Sequence, residues 1–127
     1  MEKVKKFTIG GKQFTAKFPN VGQIIDLDSM KQALSGNRYG SMAASGLASA
    51  YYALDLIDAI AFYQIVCPEV GRYYDIQNYG ELELEQTNEL LDAYKNQIQP
   101  WYIETMNEIR NTSKKSMEDA NSDKGDS

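Results

Sequence analysis

The sequence predicts an α+β domain, mainly α, with an N-terminal β-hairpin followed by a compact bundle of about four helices and a flexible C-terminal tail. Three observations carry this expectation. Two short β-prone runs flank a Gly-Gly pair, long stretches with apolar residues at helical spacing follow, and the last residues are almost free of large apolar side chains. A chain of 127 residues suits one domain with one core. We place that domain at 1–111, with the hairpin at 1–18, the helical part at 20–111 and a polar tail at 112–127.

Residues 4–9 (VKKFTI) and 12–18 (KQFTAKF) are separated by Gly10 and Gly11. Both central positions of a type I′ turn need positive φ, so the glycine pair between β-prone runs is a hairpin signal. Alternation puts Phe7 and Ile9 on one face of the first strand and Phe14, Ala16 and Phe18 on one face of the second. The lysines then largely face water and discourage edge-to-edge aggregation. Pro19 ends the second strand, and Asn20 can cap a helix over 21–34 with apolar positions Ile24, Ile25, Leu27, Met30 and Leu34. Residues 35–40 read as a loop.

Residues 41–66 are rich in Ala, Leu, Ile and Tyr, with Asp55 and Asp58 as the only charges, and predict a central helix buried on most sides. Its first half is full of small residues that let another helix come close, although Gly46 alone costs about 1 kcal/mol relative to Ala. Pro68 and Gly71 close it and open a connector through 72–80. A further helix is expected over 82–99, with Leu84, Leu91, Tyr94 and Ile98 near one face. Pro100 should then begin a new helix over 101–111 or kink a continuing one. Residues beyond 112 bury too little to offset their ordering entropy.

The lone Cys67 excludes an internal disulfide and a cysteine-based zinc cluster, and fits a small buried hydrophobe in a reducing compartment. The charged N-terminus leads straight into a strand pattern, so no conventional export signal is expected. The apolar run 47–65 holds Asp55 and Asp58 at its centre, each costing roughly 2.5–3.5 kcal/mol on insertion, which argues against a membrane span. Net charge is −5. Lys3, Lys5, Lys6, Lys12 and Lys17 against Glu2 give the hairpin region +4, which leaves −9 for the rest. Nucleic acid would be repelled by most of that surface, whereas a basic edge and an acidic body suit contact between copies.

The chain has no histidine, which removes the commonest general base and metal ligand. No phosphate-cradling or nucleophile-elbow pattern is present. We therefore expect no catalytic residue, no metal and no cofactor. Asp26 and Asp28 point to different sides of a helix, while Asp55 and Asp58 have neighbour spacing and are read as a solvated or salt-bridged strip. An enzyme would require that pair to hold Mg²⁺ or Mn²⁺. The nine tyrosines point to protein contact instead. Tyr51, Tyr52 and Tyr63 are read first as rings over the domain's own core, and the connector rings stand open between core and interface. Candidate protein-binding residues are Ala44, Leu47, Ala48 and Tyr51 at the start of the central helix and Arg72, Tyr73, Tyr74 and Tyr79 in the connector.

The opening Lys-Lys-Phe-Thr-Ile-Gly-Gly-Lys-Gln-Phe-Thr-Ala-Lys-Phe-Pro-Asn-Val-Gly-Gln-Ile-Ile-Asp-Leu resembles the tail assembly chaperones of tailed bacteriophages, small morphogenesis proteins that often begin with an FTIGGK hairpin and then a helix. The resemblance covers residues 5–34. It implies a non-catalytic protein that coats the long helical tape-measure protein until the tail tube assembles, in the cytoplasm of the infected bacterium, with other phage structural or assembly proteins and copies of itself as partners. A component retained in the virion, such as a connector, tail or packaged protein, is an alternative. A small regulator that binds a host protein is another.

Overall fold

The computed structural model describes the backbone of residues 3–125 and the side chains of residues 3–112. Strands β1 (Val4–Ile9) and β2 (Lys12–Lys17) form a two-stranded antiparallel sheet in the register Ile9↔Lys12 to Val4↔Lys17. Gly10 and Gly11 turn the chain at φ of 57° and 82°, the left-handed pair that a two-residue hairpin loop requires. Phe7 and Phe14 are directly opposed and stack at 5.6 Å between ring centroids. With Ile9 and Ala16 they make the buried face of the sheet, and each large side chain so buried is worth about 1.5–3 kcal/mol.

Helix α1 (Val21–Ser35) starts with a capping box. The Gln23 amide N–H donates to Asn20 Oδ1 at 2.9 Å, and the Asn20 N–H donates to Gln23 Oε1 at 3.0 Å, satisfying two otherwise orphaned donors. Gly36, left-handed at φ 63°, ends the helix and donates back to the Ala33 carbonyl. Leu27 is buried and Met30 packs partly against the core, but Val21, Ile25 and Leu34 face solvent and Ile24 lies at the margin. The expected apolar face of α1 is therefore split, because Ile25 lies about 200° around the helix from Leu27 at 100° per residue.

The central helix expected over 41–66 is two helices, α2 (Tyr39–Ala44) and α3 (Ala48–Val66). Gly46 takes φ 72° between them, so the residue read as a weak point inside a helix is the residue that breaks it. The small-residue stretch is accordingly not buried: Ala43 to Ser49 are all exposed. From Leu54 onward α3 is the core helix, burying Leu54, Ile57, Ala59, Ala61, Phe62 and Tyr63. Helices α1 and α2 lie against it, and Tyr63 donates a 2.7 Å bond to the Leu90 carbonyl.

The connector is more ordered than a loop. Helix α4 (Glu69–Tyr74) ends at Asp75 in the left-handed region, and a 3-10 turn spans Tyr79–Glu81. Helix α5 (Leu84–Ala93) begins with a second capping box, Glu83 with Gln86, and runs into a π segment (Tyr94–Ile98) and α6 (Gln99–Gly125). Pro100 has no N–H and its ring crowds the carbonyl four residues back. The backbone widens just before it, Gln99 donating to the Tyr94 carbonyl five residues earlier, and the helix continues instead of restarting. Of the face expected from Leu84 to Ile98, Leu91, Tyr94 and Ile98 are buried and Leu84 is exposed. The backbone of α6 is helical to Gly125, and the side chains of the tail expected at 112–127 lie outside the described residues from 113 onward. The architecture is thus mainly helical with an N-terminal hairpin, α1, α3, α5 and α6 being its long helical parts and α2 and α4 short helices of six residues each.

Sheet and helices meet around aromatic rings. Phe7 contacts Tyr63, Phe62 contacts Tyr63, Tyr94 and Tyr102, and Phe18 lies between Trp101 and Tyr102. The π segment also reaches the outer edge of β1. The Thr8 N–H donates to Gln97 Oε1 and Gln97 Nε2 donates to the Thr8 carbonyl, both at 2.9 Å, so one amide side chain closes an open strand position as a neighbouring strand would. Gln97→Met, of similar length but without those bonds, should lower unfolding stability by about 1–2 kcal/mol in urea titration. Amide exchange of Thr8 should accelerate with it, and an unchanged Thr8 rate would contradict the role given to Gln97.

Candidate functional site

The predicted site residues fall into two groups with different surroundings. Ala44 ends α2, Leu47 is the N-cap residue of α3, and Ala48 and Tyr51 lie in its first turn. All four are exposed, Leu47 by 62% and Tyr51 by 50%. Tyr52 is exposed by 43%, and its hydroxyl donates to Asn88 Oδ1 on α5 at 3.2 Å. That bond ties the start of α3 to α5, where Leu84, one turn before Asn88, is 65% exposed. Of the three tyrosines read as core rings, only Tyr63 is one.

The connector residues are turned inward or tied to neighbours. Arg72 pairs with Glu69 across one turn at 3.3 Å, both side chains being well exposed. Tyr73 stands edge-on to Phe14 at 5.7 Å between centroids, Lys12 lies 5.4 Å from its ring, and its hydroxyl reaches the hairpin turn at Gly10. Tyr74 donates to Glu89 at 3.1 Å. Tyr79 is 8% exposed and packs over Gly71, where a Cβ would lie 3.4 Å from its hydroxyl. It is a core residue, so a surface role for Tyr79 is not carried forward. The connector serves chiefly to clasp the hairpin and α5.

The aspartates are likewise engaged. Asp58 accepts from Tyr39 Oη at 2.7 Å and faces Lys31 at 3.4 Å, joining α1, α2 and α3. Asp55 meets Lys95 of the π segment at 3.0 Å. Partly exposed pairs of this kind contribute up to about 1 kcal/mol each. Burial, and then the bond to Asp58, raise the Tyr39 hydroxyl above its ordinary range. Among the described residues no group of three His, Cys, Asp or Glu side chains could hold a metal ion. No single helix among them is long and apolar enough to cross a membrane. The α3 segment passes that test only together with the following residues, as a pair bent by 102°.

Residues that sequence reasoning missed are Val21, Ile24 and Ile25 on the outer side of α1 and Leu84 on α5. Ile24, Ile25 and Leu84 were assigned to apolar faces and Val21 to the start of its helix, and only the packing decides which apolar residues are left outside.

Cys67 is fully buried, its sulfur 3.3 Å from a Glu69 carboxylate oxygen and 3.6 Å from the Thr15 carbonyl. Burial, reinforced by the bond to Glu69, pushes the thiol from 9.0 up to about 12, and burial pushes Tyr79 from 10.0 up to about 12. Between these limits the unfolded chain has released protons that the folded chain still holds, so stability falls as pH rises. The contribution is complete below about pH 9 and lost by about pH 12. Melting temperature should therefore decline across that window, and Cys67→Ala should flatten part of the decline. A flat profile for the parent chain would rule out these buried protons.

No protein-family model, curated protein or solved structure matches the chain.

Proposed function

We propose that this chain is a non-catalytic bacteriophage morphogenesis protein that binds other phage proteins, with the tail assembly chaperone of the tape-measure protein as the specific role. The observation that carries the reading is the exposed apolar surface of Leu47, Ala48 and Tyr51, continued by Ala44. Isolated apolar residues on a surface need no explanation, but a group at the mouth of the core helix is the kind of patch that partner helices cover. Small side chains there let a partner backbone approach closely, and Tyr51 adds contact area at little rotamer cost. The opening hairpin supplies the resemblance that names the partner class. The protein would act in the cytoplasm of the infected bacterium, with retention in the virion as the competing outcome.

Association through this surface should fail when a carboxylate is placed in it. Ala48→Glu should weaken copurification with the tape-measure protein, or self-association, by at least about tenfold, since an unpaired charge would be buried on binding. Circular dichroism should stay essentially unchanged, because Ala48 is exposed in the free chain. Undiminished association would sink the surface assignment. Recovery of the parent chain from finished particles, and not with unassembled tape-measure protein, would replace the chaperone role by a virion one.

A further inference from the structure

The two edges of the hairpin are unlike. In a two-residue type I′ hairpin the closing pair, here Ile9↔Lys12, exchanges its backbone hydrogen bonds, so Thr8↔Gln13, Lys6↔Thr15 and Val4↔Lys17 are the pairs that do not. The Phe18 N–H donating to the Lys3 carbonyl at 2.7 Å keeps the same alternation at the far end. Thr8 accordingly turns its N–H and C=O outward from β1, where Gln97 takes both. On β2 the same alternation turns the N–H and C=O groups of Gln13, Thr15 and Lys17 toward the opposite edge. Those three residues are exposed, and among the described residues their outward amides meet no acceptor. The Cys67 sulfur lies 3.6 Å from the Thr15 carbonyl, whose lone pairs are left open because the thiol proton goes to Glu69.

Beside this edge lies a groove of about 520 Å³ lined by Thr15, Lys17, Phe18, Gln23, Val66 and Glu69. A second hollow of about 330 Å³, around Lys12, Gln13 and Phe14, shares Thr15 and Glu69 with it. Meeting at Thr15 and Glu69, the two hollows flank β2 from Lys12 to Lys17, and we refer to them as a trench.

We propose that this trench is a strand-addition site, which takes an extended acidic segment of a partner protein as a third strand of the sheet. Main-chain groups of Gln13, Thr15 and Lys17 would supply the ladder, as in recognition by β-augmentation. Side-chain alternation defines the occupant's pattern. Its apolar residues fall on the side of Phe14, Phe18 and Val66, and its acidic residues on the side bearing Lys6 and Lys17. Charge favours an acidic occupant, because the hairpin region carries +4 with Lys6 and Lys17 on its outer face, and the one carboxylate lining the trench, Glu69, is paired with Arg72. The site lies apart from the α3 surface and does not rest on its role.

A blocked peptide alternating glutamate and valine, titrated into the full-length chain and followed by amide NMR, tests this. Binding should shift the amides of Gln13, Thr15 and Lys17 and slow their hydrogen exchange, and a lysine–valine peptide should not. Thr15→Pro removes an outward N–H without touching the hairpin's own ladder, and should weaken binding by about tenfold or more. Lys17→Glu, which keeps every backbone donor, should weaken it similarly and guards against a folding defect in the proline variant. Binding that survives both substitutions, or shifts confined to other residues, overturns the proposal. Slowed exchange at β2 that grows with protein concentration alone would assign the edge to a second copy and overturn the acidic partner. Ala48→Glu should leave peptide binding intact, so the two surfaces fail separately.

Discussion

A two-stranded sheet is barely stable by itself, and its apolar face has to be covered by something else. Most of this fold is organised by that requirement. Phe7, Ile9, Phe14 and Ala16 are all buried, with Tyr63 of α3, Tyr73 of α4 and the run from α5 into the π segment packed against the hairpin. The same run satisfies the backbone of β1 at Thr8 through Gln97. Pro100 fits this arrangement because the backbone widens at Tyr94–Ile98, and the widened segment carries the residue that the strand edge needs. A local defect in helical hydrogen bonding and a long-range closure of the sheet thus occupy the same five residues.

Much of the fold was legible in the sequence because its strongest signals are local. The glycine pair dictates a turn whatever surrounds it, Asn20 with Gln23 caps α1 within four residues, and Gly and Pro punctuate the ends of α1 and α3. The failures concern competition between local and tertiary terms. Gly46 could have been tolerated inside a helix, as it was read, at a modest penalty. It instead adopts a left-handed conformation and leaves the small residues before Ala48 outside the core. Periodicity sees Ile25 and Leu27 alike, and only the position of α3 decides that Leu27 is inside. The π segment has no composition of its own, and Pro100 signals an interruption without saying whether the chain bends, breaks or widens.

The candidate surfaces were legible to different degrees for the same reason. Tyrosine abundance marks contact without telling a ring that contacts a partner from one that contacts its own domain. Tyr73 and Tyr79 show the second outcome, one leaning on the turn at Gly10 and the other over Gly71. Ala44, Leu47, Ala48 and Tyr51 are exposed, but the reason is the break at Gly46 and not the close helix packing that drew attention to them. The Tyr52–Asn88 bond ties this end of α3 to α5, a contact between residues 36 apart in sequence that no local pattern encodes.

The clasp of Gln97 on Thr8 also bears on how this sheet can grow. A β-sheet with two open edges is divalent and can propagate without limit, which is the geometry of fibrils. Here one of the two edges is capped at Thr8 from within the chain. Any pairing through β2, with whatever strand, leaves no outward β1 position at Thr8 for the next addition. In polymer terms Gln97 acts as a partial end group: it takes the Thr8 position next to the turn out of use and so shortens the stretch of β1 that could template a further strand.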